Sequence, residues 1–143
     1  MSEIEEIYSN IIMERSMQAY HKHELENATC SAHGYNPNCG DDITLHLKLE
    51  DDIIKDISFT GTGCAISQSS TDVMAEIIKD KTIFQAKQLA DIFVDMIDRK
   101  PITEDQKKML KDAVAFQNIS NMPARVKCAI LAWKTLKNKL EEL

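Results

Sequence analysis

Apolar and polar positions alternate most regularly between residues 43 and 59. Ile43, Leu45, Leu47 and Leu49 are interleaved with Thr44, His46 and Lys48, the two-residue period of a half-buried strand. Ile53, Lys55, Ile57 and Phe59 predict a second strand, with Asp51-Asp52 at the turn between them. To bury the odd-numbered apolar residues of both strands on one face, odd residues must pair with odd residues. Either register that does so, continued outward, sets Cys39 opposite Gly63 or Ala65. The hairpin therefore carries "NPNCGD" (Asn36 to Asp41) to "GTGCAIS" (Gly61 to Ser67).

Outside this hairpin the period changes to that of helices. Ser2 with Glu5 reads as a capping box, followed by Ile4, Ile7, Tyr8 and Ile11, which predicts a first helix over about residues 3–20. After Cys64, the spacing of Val73, Met74, Ile77 and Ile78 predicts a buried stripe. Thr82 with Gln85 is a second capping box, opening a helix through Ala86, Leu89, Ala90, Phe93 and Ile97. Pro101 breaks the chain. Thr103 with Gln106 opens another helix, with Met109, Leu110, Ala113 and Val114 turned inward. Pro123 suits the first turn of a last helix reaching about Leu140. Its first half is apolar nearly all round, and Lys134 to Leu143 reads as solvated. Residues 21–42, with three His, two Cys, a Pro and two Gly, read as a long loop with room for a short edge strand.

The chain has 143 residues, enough for one domain, 1–143, with a real core. Its formal charge of −6 argues against nucleic acid or an anionic membrane as partner. No apolar run approaches a membrane span, and the acidic start is unlike a secretory signal. The cytoplasm is the expected compartment, where four cysteines serve as thiols, metal ligands or catalysts rather than as structural disulfides.

Candidate chemistry follows from where those cysteines fall. Gly40 allows a turn that faces Cys39 and Asp41 toward one point. Cys64 opens a helix after Gly61-Thr62-Gly63, where free N–H groups and the helix dipole favour a thiolate. Cys128 lies in the first two turns of the last helix. With Asp41, the three thiols form a donor set that zinc accepts. The hairpin brings Cys64 to Cys39, but spacing alone does not bring Cys128 to either. Cys128 also fits as a small buried hydrophobe, and Asp41 as a turn residue or cap. Cys30 matches no ligand spacing and reads as a spare thiol. His21, His23 and His33 read as solvated loop residues, His46 as a surface residue and Trp133 as core.

Together, "NPNCGD", "GTGCAIS" and "PARVKCAILAW" (Pro123 to Trp133) resemble the SufU family of iron–sulfur biogenesis proteins, within the wider IscU/NifU-N group. The resemblance spans nearly the whole chain. It implies an α+β fold in which a small antiparallel sheet of about three strands packs against several helices. It implies one zinc on Cys39, Asp41, Cys64 and Cys128, and persulfide sulfur accepted on Cys39 from a SufS-type cysteine desulfurase. A desulfurase histidine would take the place of Cys39 on the metal, and downstream iron–sulfur assembly proteins would receive the sulfur. Lys127 stands where the scaffold branch has a histidine before its last cysteine. The path from Cys64 to Cys128 is also longer than in that branch, about Thr82 to Gln117 making much of the difference. Both features point to the zinc-dependent sulfurtransferase branch. Arg125 matches the family's P-x-R-x-K-C pattern, with a supporting role toward a carboxylate or persulfide. It reads equally well as a helix-surface arginine. The alternatives are an iron–sulfur cluster scaffold using the same three cysteines, with the cluster as transient cofactor, and a purely structural zinc domain.

Overall fold

The computed structural model describes residues 3–143, with side chains from residue 10 onward. The Ser2–Glu5 capping box and the side chains of Ile4, Ile7 and Tyr8 lie outside the described residues. Helix α1 (Glu3–Met17) leads into an antiparallel meander of β1 (Cys30–Asn36), β2 (Asp41–Glu50) and β3 (Ile53–Thr62). Four helices follow: α2 (Ala65–Ile78), α3 (Ile83–Ile97), α4 (Glu104–Leu110) and α5 (Pro123–Glu141), with a 3-10 stretch, Lys111–Asn121, before the last. Helix α5 packs on β1 and β2, α2 packs on β3, and α1 and α3 lie against α2 and α5 respectively. The expected α+β architecture is the one observed.

The β2–β3 ladder pairs Ile43 with Gly61, Leu45 with Phe59 and Leu47 with Ile57, odd with odd. This is the register that projects Cys39 toward Ala65. Asp51 and Asp52 both hold positive φ, 49° and 64°, as a tight two-residue hairpin turn requires. A register shift between Lys48 and Leu49 then sets Leu49 against Ile54. One extra residue exchanges the faces, so Ile54 enters the core and Ile53 stays half-buried.

The long loop expected over 21–42 is shorter. Cys30 to Asn36 form an edge strand whose alternation ends in buried Gly34 and Asn36. This is the short edge strand for which the loop had room, and it pairs with β2 along its whole length. His33 and Cys30 are therefore strand residues, and His33 Nε2 meets Asp42 Oδ1 at 2.6 Å. His46 is largely covered and bonds Thr60 Oγ1 at 2.9 Å, so it is not a free surface group.

The helices start where their capping boxes predict, at Thr82 and Thr103. The helix opened by Thr103 does not run on, because Lys111 adopts φ 49° and α4 stops at Leu110. Leu110, Ala113, Phe116 and Ile119 are buried at intervals of three, the period of a 3-10 helix. Met109, expected inside, is exposed, and Val114 is only half-buried. Helix α5 is also less solvated toward its end than its composition suggests. Leu136 and Leu140 continue the buried stripe of Ala129, Ala132 and Trp133. Trp133 is core, as expected, stacked on Phe93 with ring centroids 4.3 Å apart.

Candidate metal centre

Three chain segments meet at one end of the sheet. The first is the turn between β1 and β2. Gly40 takes φ 68°, which a side chain would resist, and the chain reverses so that Cys39 and Asp41 reach the same space. The second is the start of α2, where Cys64 is the N-cap and its Sγ accepts from Ser67 N at 3.4 Å. The third is the start of α5, where Pro123 fills a first-turn position that needs no N–H donor. Cys128 follows one and a half turns later, fully buried.

The metal-ligating atoms of Cys39, Asp41 and Cys128 all lie within 4.8 Å of one another. Zn–S bonds of about 2.3 Å place tetrahedral thiolates about 3.8 Å apart, so the spacing suits a shared metal. Cys64 lies outside that tight group but beside it. Its backbone N–H donates to Asp41 Oδ1 at 2.9 Å, and its thiol is close enough to act on the Cys128 thiol. All four cysteines are free thiols. Asp41 is fully buried, with Oδ2 facing Asn36 Nδ2 at 3.4 Å, so it is more than a turn residue.

Burial pushes the Cys128 thiol well above the ordinary thiol range, and the thiols of Cys39 and Cys64 push it the same way. A thiol crowded by two others and a carboxylate resists ionisation unless a cation is present. Two cations could answer this demand, a metal ion among the ligand atoms or the neighbouring arginine. The Arg125 guanidinium lies near Cys128, Cys64 and Cys39, and these thiols raise its own pKa. It is exposed, so its charge is screened and does not replace a metal at the buried sulfur. The donor set thus fits a thiophilic divalent ion such as zinc.

Cys39 differs from the other thiols. It sits on the loop, half-buried, with Sγ 3.8 Å from the Ala124 carbonyl. It borders an open cleft of about 490 Å³ lined by Asn36, Asn38, Pro123, Ala124, Arg125 and Lys127. In a chain of net charge −6, two cations on this rim make a local attraction for anions. Asn36, buried and reaching both Asp41 and Cys128 Sγ (3.8 Å), is a site residue that sequence reasoning missed. Its signal was its place in "NPNCGD", not any periodicity.

The match to known proteins has the same extent as the fold. Residues 7–129 match the model of the NifU-like N-terminal domain. The chain belongs to this family. An iron–sulfur cluster assembly scaffold protein, IscU, from Thermotoga maritima is 39% identical over 96% of this chain and 94% of its own. The zinc-dependent sulfurtransferase SufU of Bacillus subtilis is also 39% identical, over 94% of this chain and 89% of its own. The crystal structure of FiSufU from thermophilic Fervidobacterium islandicum AW-1, a candidate iron–sulfur cluster assembly scaffold for the SUF system, superposes with a TM-score of 0.87. It shares 39% identity and covers 94% of this chain and 97% of that one. The sheet meander and its helices are thus those of the SufU and NifU-N fold. No helix among the described residues is long and apolar enough to cross a membrane.

Proposed function

We propose that this chain is a zinc-holding sulfurtransferase of iron–sulfur cluster assembly, acting as one domain over residues 1–143 in the cytoplasm. The observation that carries the reading is the contrast among the site thiols. Cys39 borders an open cleft on a glycine turn, while Cys64 and Cys128 are fixed at helix starts. Cys39, Asp41, Cys64 and Cys128 would hold the metal, which keeps thiols deprotonated at neutral pH. A closed set of four ligands is usually structural, so reactivity requires one ligand to leave, and Cys39 is the one on a segment that can move.

The Cys39 thiolate attacks the outer sulfur of a persulfide on a SufS-type cysteine desulfurase. The donor S–S bond breaks, the donor cysteine leaves as a thiolate, and Cys39 keeps the sulfur as its own persulfide. Arg125, on the rim, steadies the anionic sulfur during this exchange. A downstream iron–sulfur assembly protein then receives it.

The test is incubation with a cysteine desulfurase and cysteine, followed by alkylation and mass spectrometry. The persulfide is expected on Cys39, and Cys39→Ala is expected to keep its fold yet fail to stimulate desulfurase turnover. A persulfide on Cys30, or stimulation by Cys39→Ala, overturns the assignment. The scaffold reading is favoured by the names of two of the relatives above. It predicts a stable visible absorbance after anaerobic reconstitution with iron and sulfide, and iron rather than zinc in natively purified protein.

A further inference from the structure

The first turns of α2 bury an unusual run of polar side chains, Ser67 through Asp72. Four of the six have partners. Ser69 Oγ donates to Ala65 O, Ser70 Oγ to Ala129 O and Thr71 Oγ1 to Ser67 O, while Asp72 takes Arg15 and the His21 N–H. The other two do not. Ser67 Oγ and both polar atoms of Gln68 are buried without a hydrogen-bond partner, in side chains 1% and 6% exposed. Buried polar groups are nearly always paired, so adjacent orphans need a reason.

Their position supplies one. A Cβ on Gly63 would lie 2.7 Å from Asp41 Oδ1, 3.1 Å from Ser67 Oγ and 3.2 Å from Gln68 Nε2. The three polar atoms converge on the face of Gly63 that carries no side chain. Asp41 Oδ1 has one donor, the Cys64 N–H, and a carboxylate oxygen has a second lone pair to offer. Gln68 carries two N–H donors, Ser67 a rotatable hydroxyl.

We propose that Gln68, assisted by Ser67, is the positioning residue for Asp41. It donates to Oδ1 past Gly63, directly after a side-chain rotation or through one buried water, and so fixes the direction in which the carboxylate faces the thiols. The inference rests on Asp41 being a metal ligand. An outer hydrogen bond of this kind typically changes metal affinity by about 10- to 100-fold.

The experiment is a zinc-affinity measurement by competition with a chromophoric chelator on the full chain. It compares the unmodified protein, Gln68→Met, Ser67→Ala, Asp41→Ala and the Gln68→Met/Asp41→Ala double variant. Gln68→Met keeps length and volume while removing both orphan atoms, so the zinc-free protein should melt no lower than the unmodified one. Its zinc affinity should fall about tenfold or more, with a smaller loss for Ser67→Ala. In the Asp41→Ala background, Gln68→Met should change affinity by less than about twofold, because its effect runs through the carboxylate. Cobalt substitution supplies an independent readout, a shifted d–d spectrum in Gln68→Met. Equal losses in both backgrounds, or unchanged affinity in both Gln68→Met and Ser67→Ala, overturn the proposal while leaving Asp41 as a ligand. Unchanged affinity in Asp41→Ala overturns the ligand assignment and the positioning role with it. If Gln68→Met fails to fold, the cycle of Ser67→Ala, Asp41→Ala and the Ser67→Ala/Asp41→Ala double variant decides, and a Ser67→Ala loss that persists in the Asp41→Ala background overturns the proposal.

Discussion

The start and the middle of helix α5 obey different rules. Along its middle, Trp133 stacks on Phe93, Phe93 meets Phe116 edge-on, and Leu136 and Leu140 are fully enclosed. The polar atoms in that region are paired, since the Trp133 indole N–H donates to Ser70 Oγ and Ser70 donates to Ala129 O. At the start of the helix, Cys128 faces two thiols and a buried carboxylate, and the nearby polar atoms of Ser67 and Gln68 have no partner. The middle is complete as folded. The start holds groups that repel or lack a partner, an arrangement stable only because the rest of the fold overdetermines it, and one that a bound cation would relieve. On the proposed reading, stability and function occupy different turns of one helix, and a substitution separates them.

The largest effect should come from the completed middle. Trp133→Ala removes a stacked, fully buried ring and should cost roughly 3–5 kcal/mol in urea unfolding. The loss should be the same with and without zinc. A loss that vanishes in zinc-free protein would merge the start and the middle of the helix into one unit.

At the helix starts that hold the thiols the effect should depend on metal. Cys64→Ser should lose most bound zinc by elemental analysis, and with it the stabilisation that zinc confers, about 2.7 kcal/mol at free zinc one hundred times Kd. The zinc-free forms of the variant and the unmodified chain should melt alike. Full zinc occupancy in both Cys64→Ser and Cys128→Ser would remove the assignment.

Asp41→Ala should act more mildly on zinc than Cys64→Ser, because carboxylate is the weaker partner of a thiophilic ion, and should slow sulfur transfer. It should also retain a reconstituted iron–sulfur cluster longer. Unchanged zinc affinity and unchanged rate would reduce Asp41 to a turn residue.

The smallest effect belongs to Cys30. Burial raises its thiol pKa, against a lowering influence from Lys139. In zinc-free protein it should alkylate more slowly than Cys39 at neutral pH, as followed by mass spectrometry. Because its folded pKa is raised, its contribution to stability is present below the ordinary thiol range and is lost as pH rises through the folded value. Cys30→Ala should remove that alkaline loss and stay within about 0.5 kcal/mol of the unmodified chain at neutral pH.

Much of the site was legible because strand parity is a strict rule. Burying Leu45, Leu47, Ile57 and Phe59 together left two registers, and each carried the Cys39 loop toward Cys64. The capping boxes at Thr82 and Thr103 were legible for a similar reason, since the pairing of side chain and backbone is local. What failed was where non-local or irregular geometry took over. The bulge at Lys48 and Leu49 reversed the roles of Ile53 and Ile54. The edge strand Cys30–Asn36, for which the loop had room, had no apolar period to fix its bounds, and Met109, Leu110, Ala113 and Val114 were read as one helical face where the chain turns 3-10 after Leu110.

By itself, the sequence determined the elements whose stability is local, the hairpin, the helix starts and the glycine turn that points Cys39 and Asp41 one way. Tertiary structure alone decided that Cys128 closes the group. It lies 64 positions after Cys64 in sequence, and only the packing of α5 across β1, β2 and α2 brings it to Cys39 and Asp41. It also decided that Asn36, Ser67 and Gln68 crowd behind the carboxylate. No period encodes them, because a polar side chain is buried by what packs over it and not by its own spacing along the chain.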